Sequence, residues 1–126
     1  MRNALLDELI ADHAGVTAAV GTFRDDWFLH FMGLESPDGY RDGGRLENYR
    51  GTPPLGEGAF RVLQRVVRLA AHRLAAFDAS GGWGPAAADP LVERASRIRA
   101  LARLTLEELA ADDAHDRLAA ARGGTA

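Results

Sequence analysis

A chain of 126 residues with 47% hydrophobic and 26% charged residues is long enough to bury one core, and its formal net charge of −3 marks neither a general nucleic-acid binder nor a halophile. Cysteine and lysine are both absent, which excludes disulfide staples, thiolate zinc sites, cysteine nucleophiles, Schiff-base chemistry and a lysine-bearing phosphate loop. All fifteen basic residues are arginine and alanine occurs 24 times, the signature of a GC-rich bacterial coding sequence, so an arginine here is not chosen for its geometry merely because it is not lysine.

Met1 to Gly15 has neither a basic leader nor an apolar signal core, and no apolar run reaches bilayer length, which predicts a soluble, cytoplasmic protein with no membrane partner. Leu5, Leu6, Leu9, Ile10, Val16 and Val20 recur at three- and four-residue spacing, so a helix is expected from Asn3 to about Thr22. Asp25 is placed to cap a second helix that runs to Met32 and stops at Gly33. Trp27, Phe28, Phe31 and Met32 make that helix apolar over most of its girth, so it must be buried or pressed against a partner.

Residues 35–58 then hold six glycines, Tyr40, Tyr49 and three arginines, Arg41, Arg45 and Arg50. Loops of that length are uncommon in compact domains and are usually functional. Leu46, Tyr49, Pro53, Pro54 and Leu55 supply apolar contacts, so the loop is expected to lie ordered against the helices. A third helix spans Ala59 to Phe77, with Leu63, Val66, Val67, Ala70, Leu74 and Phe77 as its core stripe. A Gly/Trp loop occupies residues 79–88, and Asp89 followed by Pro90 opens a fourth helix. Thr105 and Glu108 have the spacing of a capping box, yet strong helix formers from Leu101 to Ala121 favour one helix continuing to about Arg122. The expected fold is all-α, one domain over residues 1–126, a bundle of four or five helices carrying two surface loops.

Charge is unevenly distributed. Arg61, Arg65, Arg68 and His72 fall within about 60° of one another on a helix, a basic stripe suited to a phosphate-bearing ligand or nucleic acid. The first helix and the C-terminal segment are acidic. Glu108, Asp112 and His115 share a helical face, and with His13 from the first helix they would form a carboxylate and histidine site for iron, manganese or zinc. His30 is placed one turn after Asp26, which could orient its ring.

The opening segment from Leu5 to His13, acidic and leucine-rich with Asp12 before His13, resembles the first helix of hemerythrin-type iron-binding bundles. The resemblance implies a non-haem iron site. The chain departs from that family after His30, where the fourth residue on is Leu34 and not glutamate.

Neither a nucleophile elbow nor a dinucleotide fingerprint follows a strand-like segment. The aromatics and arginines in breaks therefore carry the leading expectation, an accessory or interaction subunit that docks on itself or on a protein partner through Trp27, Phe31, Tyr40, Arg45, Tyr49 and Trp83.

Overall fold

The computed structural model describes residues 4–123, and these contain six α-helices, one 3-10 turn and no strand. Helix α1, Ala4–Val20, turns Leu5, Leu6, Leu9, Ile10 and His13 inward. It ends two residues earlier than the periodicity predicts, because Gly21 adopts a φ of 87° while its N–H still reaches the Thr17 carbonyl at 2.8 Å.

Helix α2, Asp25–Met32, begins one residue earlier than a cap at Asp25 would place it. Arg24 holds the cap position without a side-chain bond, and Asp25 lies in the first turn, where its charge opposes the positive end of the helix dipole. Gly33 ends the helix as expected, with a φ of 85°, and the Leu34 N–H returns to the Leu29 carbonyl at 2.7 Å. Phe28, Leu29 and Met32 are buried, but Trp27 is 40% and Phe31 62% exposed, so the girth of apolar residues is covered on one side only.

The next stretch doubles back on the end of α2. The Arg41 N–H donates to the Gly33 carbonyl at 2.8 Å, and the Tyr40 hydroxyl donates to the Gly44 carbonyl. Gly44 passes so close to α2 that a Cβ there would sit 2.6 Å from the Met32 carbonyl oxygen. A 3-10 turn, Arg45–Tyr49, follows and buries Leu46 completely, while Arg45 reaches back to Glu8 of α1 at 3.4 Å.

Helix α3, Glu57–Ala79, is the longest and forms the centre: Phe60, Val67, Ala70, Ala71, Leu74 and Phe77 are buried along it, and it packs against α2, α5 and α6. Leu63 and Val66 of the expected stripe are only half-buried. Helix α4, Pro90–Ala102, starts where proline at the first helical position requires, with the Asp89 carboxylate accepting from the Leu91 N–H at 2.9 Å. It packs against α1 and α6.

The expectation of one unbroken C-terminal helix is wrong. The chain stops at Ala102, restarts as α5, Leu106–Ala110, and again as α6, Ala114–Gly123. Thr105 accepts from the Glu108 N–H at 3.0 Å and Glu108 accepts from the Thr105 N–H at 2.9 Å, so two otherwise orphaned donors are satisfied reciprocally at the break. The restart also turns Leu104, Leu106 and Leu109 inward together, a burial that outweighs the modest propensity favouring continuity. Among the described residues no helix is long and apolar enough to cross a membrane.

Candidate functional site: a buried His–Asp centre beside a cleft

Two polar side chains occupy apolar stripes. On α1 the inward series Leu6, Leu9 and Ile10 continues with His13, and on α3 the series Val67, Ala71 and Leu74 continues with Asp78. The fold brings them together: His13 Nε2 lies 3.1 Å from both Asp78 carboxylate oxygens, and the two side chains are 3% and 4% exposed. Trp83 donates its indole N–H to Asp78 Oδ1, and the Phe23 backbone N–H donates to Oδ2 at 3.2 Å. One carboxylate at the end of α3 thus ties together α1, the link between α1 and α2, and the Gly/Trp loop. Burial pushes the Asp78 carboxyl up, but the bonds from His13, Trp83 and Phe23 outweigh it and hold the group below the usual carboxylate range.

The rings around this centre form a continuous series. Phe28 faces Phe23, Phe23 faces His13 at 5.3 Å, His13 faces Trp83 at 5.9 Å, and Trp83 meets Phe77 edge-on at 5.0 Å. His115 stands on the other side of Phe77, also at 5.0 Å. Trp83 can fold back onto Phe77 because Gly82 has no side chain; a Cβ there would collide with the Phe77 ring.

A cavity of about 490 Å³ opens beside this centre, between α1 and α4. Its walls are mostly apolar or small: Ala14 and Ala18 from α1, Ala86 and Ala87 from the loop, Leu91 and Ile98 from α4, with His13 part of the inner wall. Three other groups give it polarity, Glu93, Arg94 and Arg97; Thr17 also lines it, but its hydroxyl is buried away from the opening and has no hydrogen-bond partner. Glu93 accepts from Arg97 Nε at 2.7 Å and from the Ala87 N–H at 2.8 Å, bonds that outweigh the effect of its burial and keep its carboxyl low. The Arg97 guanidinium also lies over the Trp83 ring, 5.3 Å from its centre. Arg94 is exposed at the rim and has no acidic partner among the described residues.

The structure distributes the sequence-derived candidates differently from their grouping in sequence. His13 faces Asp78, Glu108 is committed to Thr105 and to Arg117 at 2.7 Å, Asp112 takes Arg73 at 3.0 Å, and His115 is exposed. The expected metal set is therefore not brought together, because the chain leaves the helix again between Ala110 and Ala114, which puts Glu108 on α5, His115 on α6 and Asp112 in the link between them. Among the described residues no three histidines or carboxylates converge as metal ligands. His30 turns toward Glu35 at 3.6 Å, since Asp26 is taken by Arg24 at 2.7 Å.

The arginine stripe is also divided. Arg68 donates to the Gly39 and Leu34 carbonyls and His72 pairs with Asp25 at 2.6 Å, which leaves Arg61 and Arg65 exposed. Of the expected docking residues, Trp27 and Phe31 face solvent, whereas Tyr40 packs on Phe60 at 5.2 Å, Arg45 pairs with Glu8, Tyr49 packs against the core and Trp83 is buried. Asp78 and Thr17 are the site residues that sequence reasoning missed. Their signal was present: each lies four residues beyond an inward-facing position, Leu74 or His13, so each falls on a buried stripe.

Residues 1–113 match the family described as "Family of unknown function (DUF7005)", and the chain belongs to that family. No curated protein and no solved structure matches the chain. The family match stops at the residue before the first of α6.

Proposed function

We propose that this family member is a small binding module that holds its ligand in the cleft between α1 and α4. The observation that carries the reading is the convergence, on one cavity, of apolar walls, an Arg94 cation without an acidic partner among the described residues and an inner wall braced by the His13–Asp78 pair. Concave, largely apolar sites with a few placed polar groups are the usual form of small-molecule sites. Binding fits better than catalysis because the Asp78 carboxylate is enclosed and held below the usual range by three donors, which makes it a poor acceptor for a substrate proton. In this reading the helices act as a single cytoplasmic bundle with the 35–58 loop held against it. A fragment screen followed by amide NMR tests it: ligands should shift Ala14, Thr17 and Ala18, and Ala18→Trp, which fills the cleft from an exposed position, should abolish those shifts. Hits that avoid these residues, or that persist in Ala18→Trp, would remove the reading.

A second reading, a self-associating accessory subunit, is favoured by the exposed pair Trp27 and Phe31, one helical turn apart on α2. Light scattering should then show a concentration-dependent dimer that Phe31→Asp dissociates; a monomer at all concentrations excludes it.

A further inference from the structure

We infer that the ligand of this cleft is a small apolar monocarboxylate, its carboxylate at Arg94 and its hydrocarbon body along the alanine, Leu91 and Ile98 walls. The inference rests on the binding-module reading above and goes beyond it to the chemistry of the ligand. Three charged side chains border the cavity, and two of them cancel: Glu93 and Arg97 are paired at 2.7 Å, with Arg97 held further by the Trp83 face. Arg94 is the remaining charge, a cation with no acidic partner among the described residues. A site with one uncompensated positive charge suits a single negative charge, and a guanidinium offers a carboxylate two parallel N–H donors.

The Glu93 carboxylate is the second observation, because it limits the negative charge that the cleft accepts. A phosphate dianion fits less well, because its second charge would meet the Glu93 carboxylate, whose protonation is disfavoured by its bonds to Ala87 and Arg97. A cationic ligand would meet Arg94. The body must be apolar because most other wall groups are methyl, methylene or ring carbon, and Leu91, 71% exposed, gains cover from it.

The test titrates the isotope-labelled chain with octanoate, octanamide, octylamine, octyl phosphate and acetate, following the amides of Thr17, Ala18 and Arg94. Octanoate should shift these resonances with an affinity at least tenfold above that of octanamide, equivalent to about 1.4 kcal/mol. Octylamine and acetate should leave them in place, and octyl phosphate should bind more weakly than octanoate. Arg94→Gln, a change at an exposed residue, should weaken octanoate about tenfold and leave octanamide unchanged. If octanamide binds as well as octanoate, or octyl phosphate binds better, the monocarboxylate inference is overturned while the cleft remains a binding site. If none of the compounds moves the cleft resonances, both fall together.

Discussion

Replacing Asp78 by alanine removes the shared acceptor of three donors: the His13 ring, the Trp83 indole and the Phe23 amide. His13, Phe23 and Trp83 are 2%, 4% and 4% exposed, so water cannot take the place of the lost carboxylate without opening the core. A buried donor left without a partner costs about 1–3 kcal/mol, and removal of one member of a buried, hydrogen-bonded pair about 3–5 kcal/mol. These overlap rather than add, so Asp78→Ala should lose about 3–5 kcal/mol, a large share of the total stability of a domain of this size. Asp78→Asn keeps the shape and one acceptor oxygen but points an amide N–H₂ at groups that are themselves donors; about 2–3 kcal/mol is expected.

Urea unfolding followed by far-ultraviolet circular dichroism measures both variants. The pH dependence provides a separate check. Because the native carboxyl is held below its unfolded value of about 3.9, its contribution is fully present above that pH and fades as pH falls through the lower native value. The stability gap between the natural chain and Asp78→Asn should therefore narrow only below about pH 4. A cost under about 1 kcal/mol for Asp78→Ala, or an Asp78→Asn variant as stable as the natural chain at pH 7, would refute the assignment of this carboxylate as the tie between three elements.

Gly44→Ala forces a Cβ against the Met32 carbonyl and the Gly33 backbone, neither of which can yield like a side chain; about 1–3 kcal/mol should be lost, with faster tryptic cutting after Arg41 and Arg45. Thr105→Ala removes the acceptor for the Glu108 N–H and should cost about 1 kcal/mol in urea unfolding; no measurable change would mean that the break is fixed by packing alone. Burial and then the neighbouring Glu8 raise the Asp12 carboxyl, so the fold disfavours its ionised form. Asp12→Asn should accordingly raise the melting temperature at pH 7 and lose that advantage near pH 3, where the carboxyl is protonated folded and unfolded alike.

The helical class, the stops at Gly33 and near Gly21 and the Asp89–Pro90 start were legible because each rests on local chemistry: period, backbone freedom, a cap. The break at Thr105 was legible as a signal and misjudged in weight, since propensity within a segment says nothing about where Leu104, Leu106 and Leu109 find cover. The site failed differently. Glu108, Asp112 and His115 share a face only if one helix carries them, and the second interruption, between Ala110 and Ala114, for which the sequence offered no capping box, separates them. His13 was visible as a polar residue on an apolar stripe, whereas Asp78 lies one residue past the expected end of the third helix at Phe77, and with 64 residues between them only the tertiary arrangement makes them a pair. Arg68 looked like one of a row of surface cations, and its use as a latch on the Gly39 carbonyl depends on a chain reversal that no helical period encodes.

Trp27 and Trp83 are the only two tryptophans, and they occupy opposite environments, one on the exposed face of α2 beneath the Arg24 guanidinium, the other enclosed among Phe77, His13 and Arg97. Their emission should separate accordingly, a red-shifted component open to acrylamide from Trp27 and a blue-shifted, shielded component from Trp83. The protein thereby carries an unlabelled two-channel optical gauge: the blue channel reports events at the cleft, the red channel reports contact at α2, and each of the two proposed surfaces can be watched in the presence of the other.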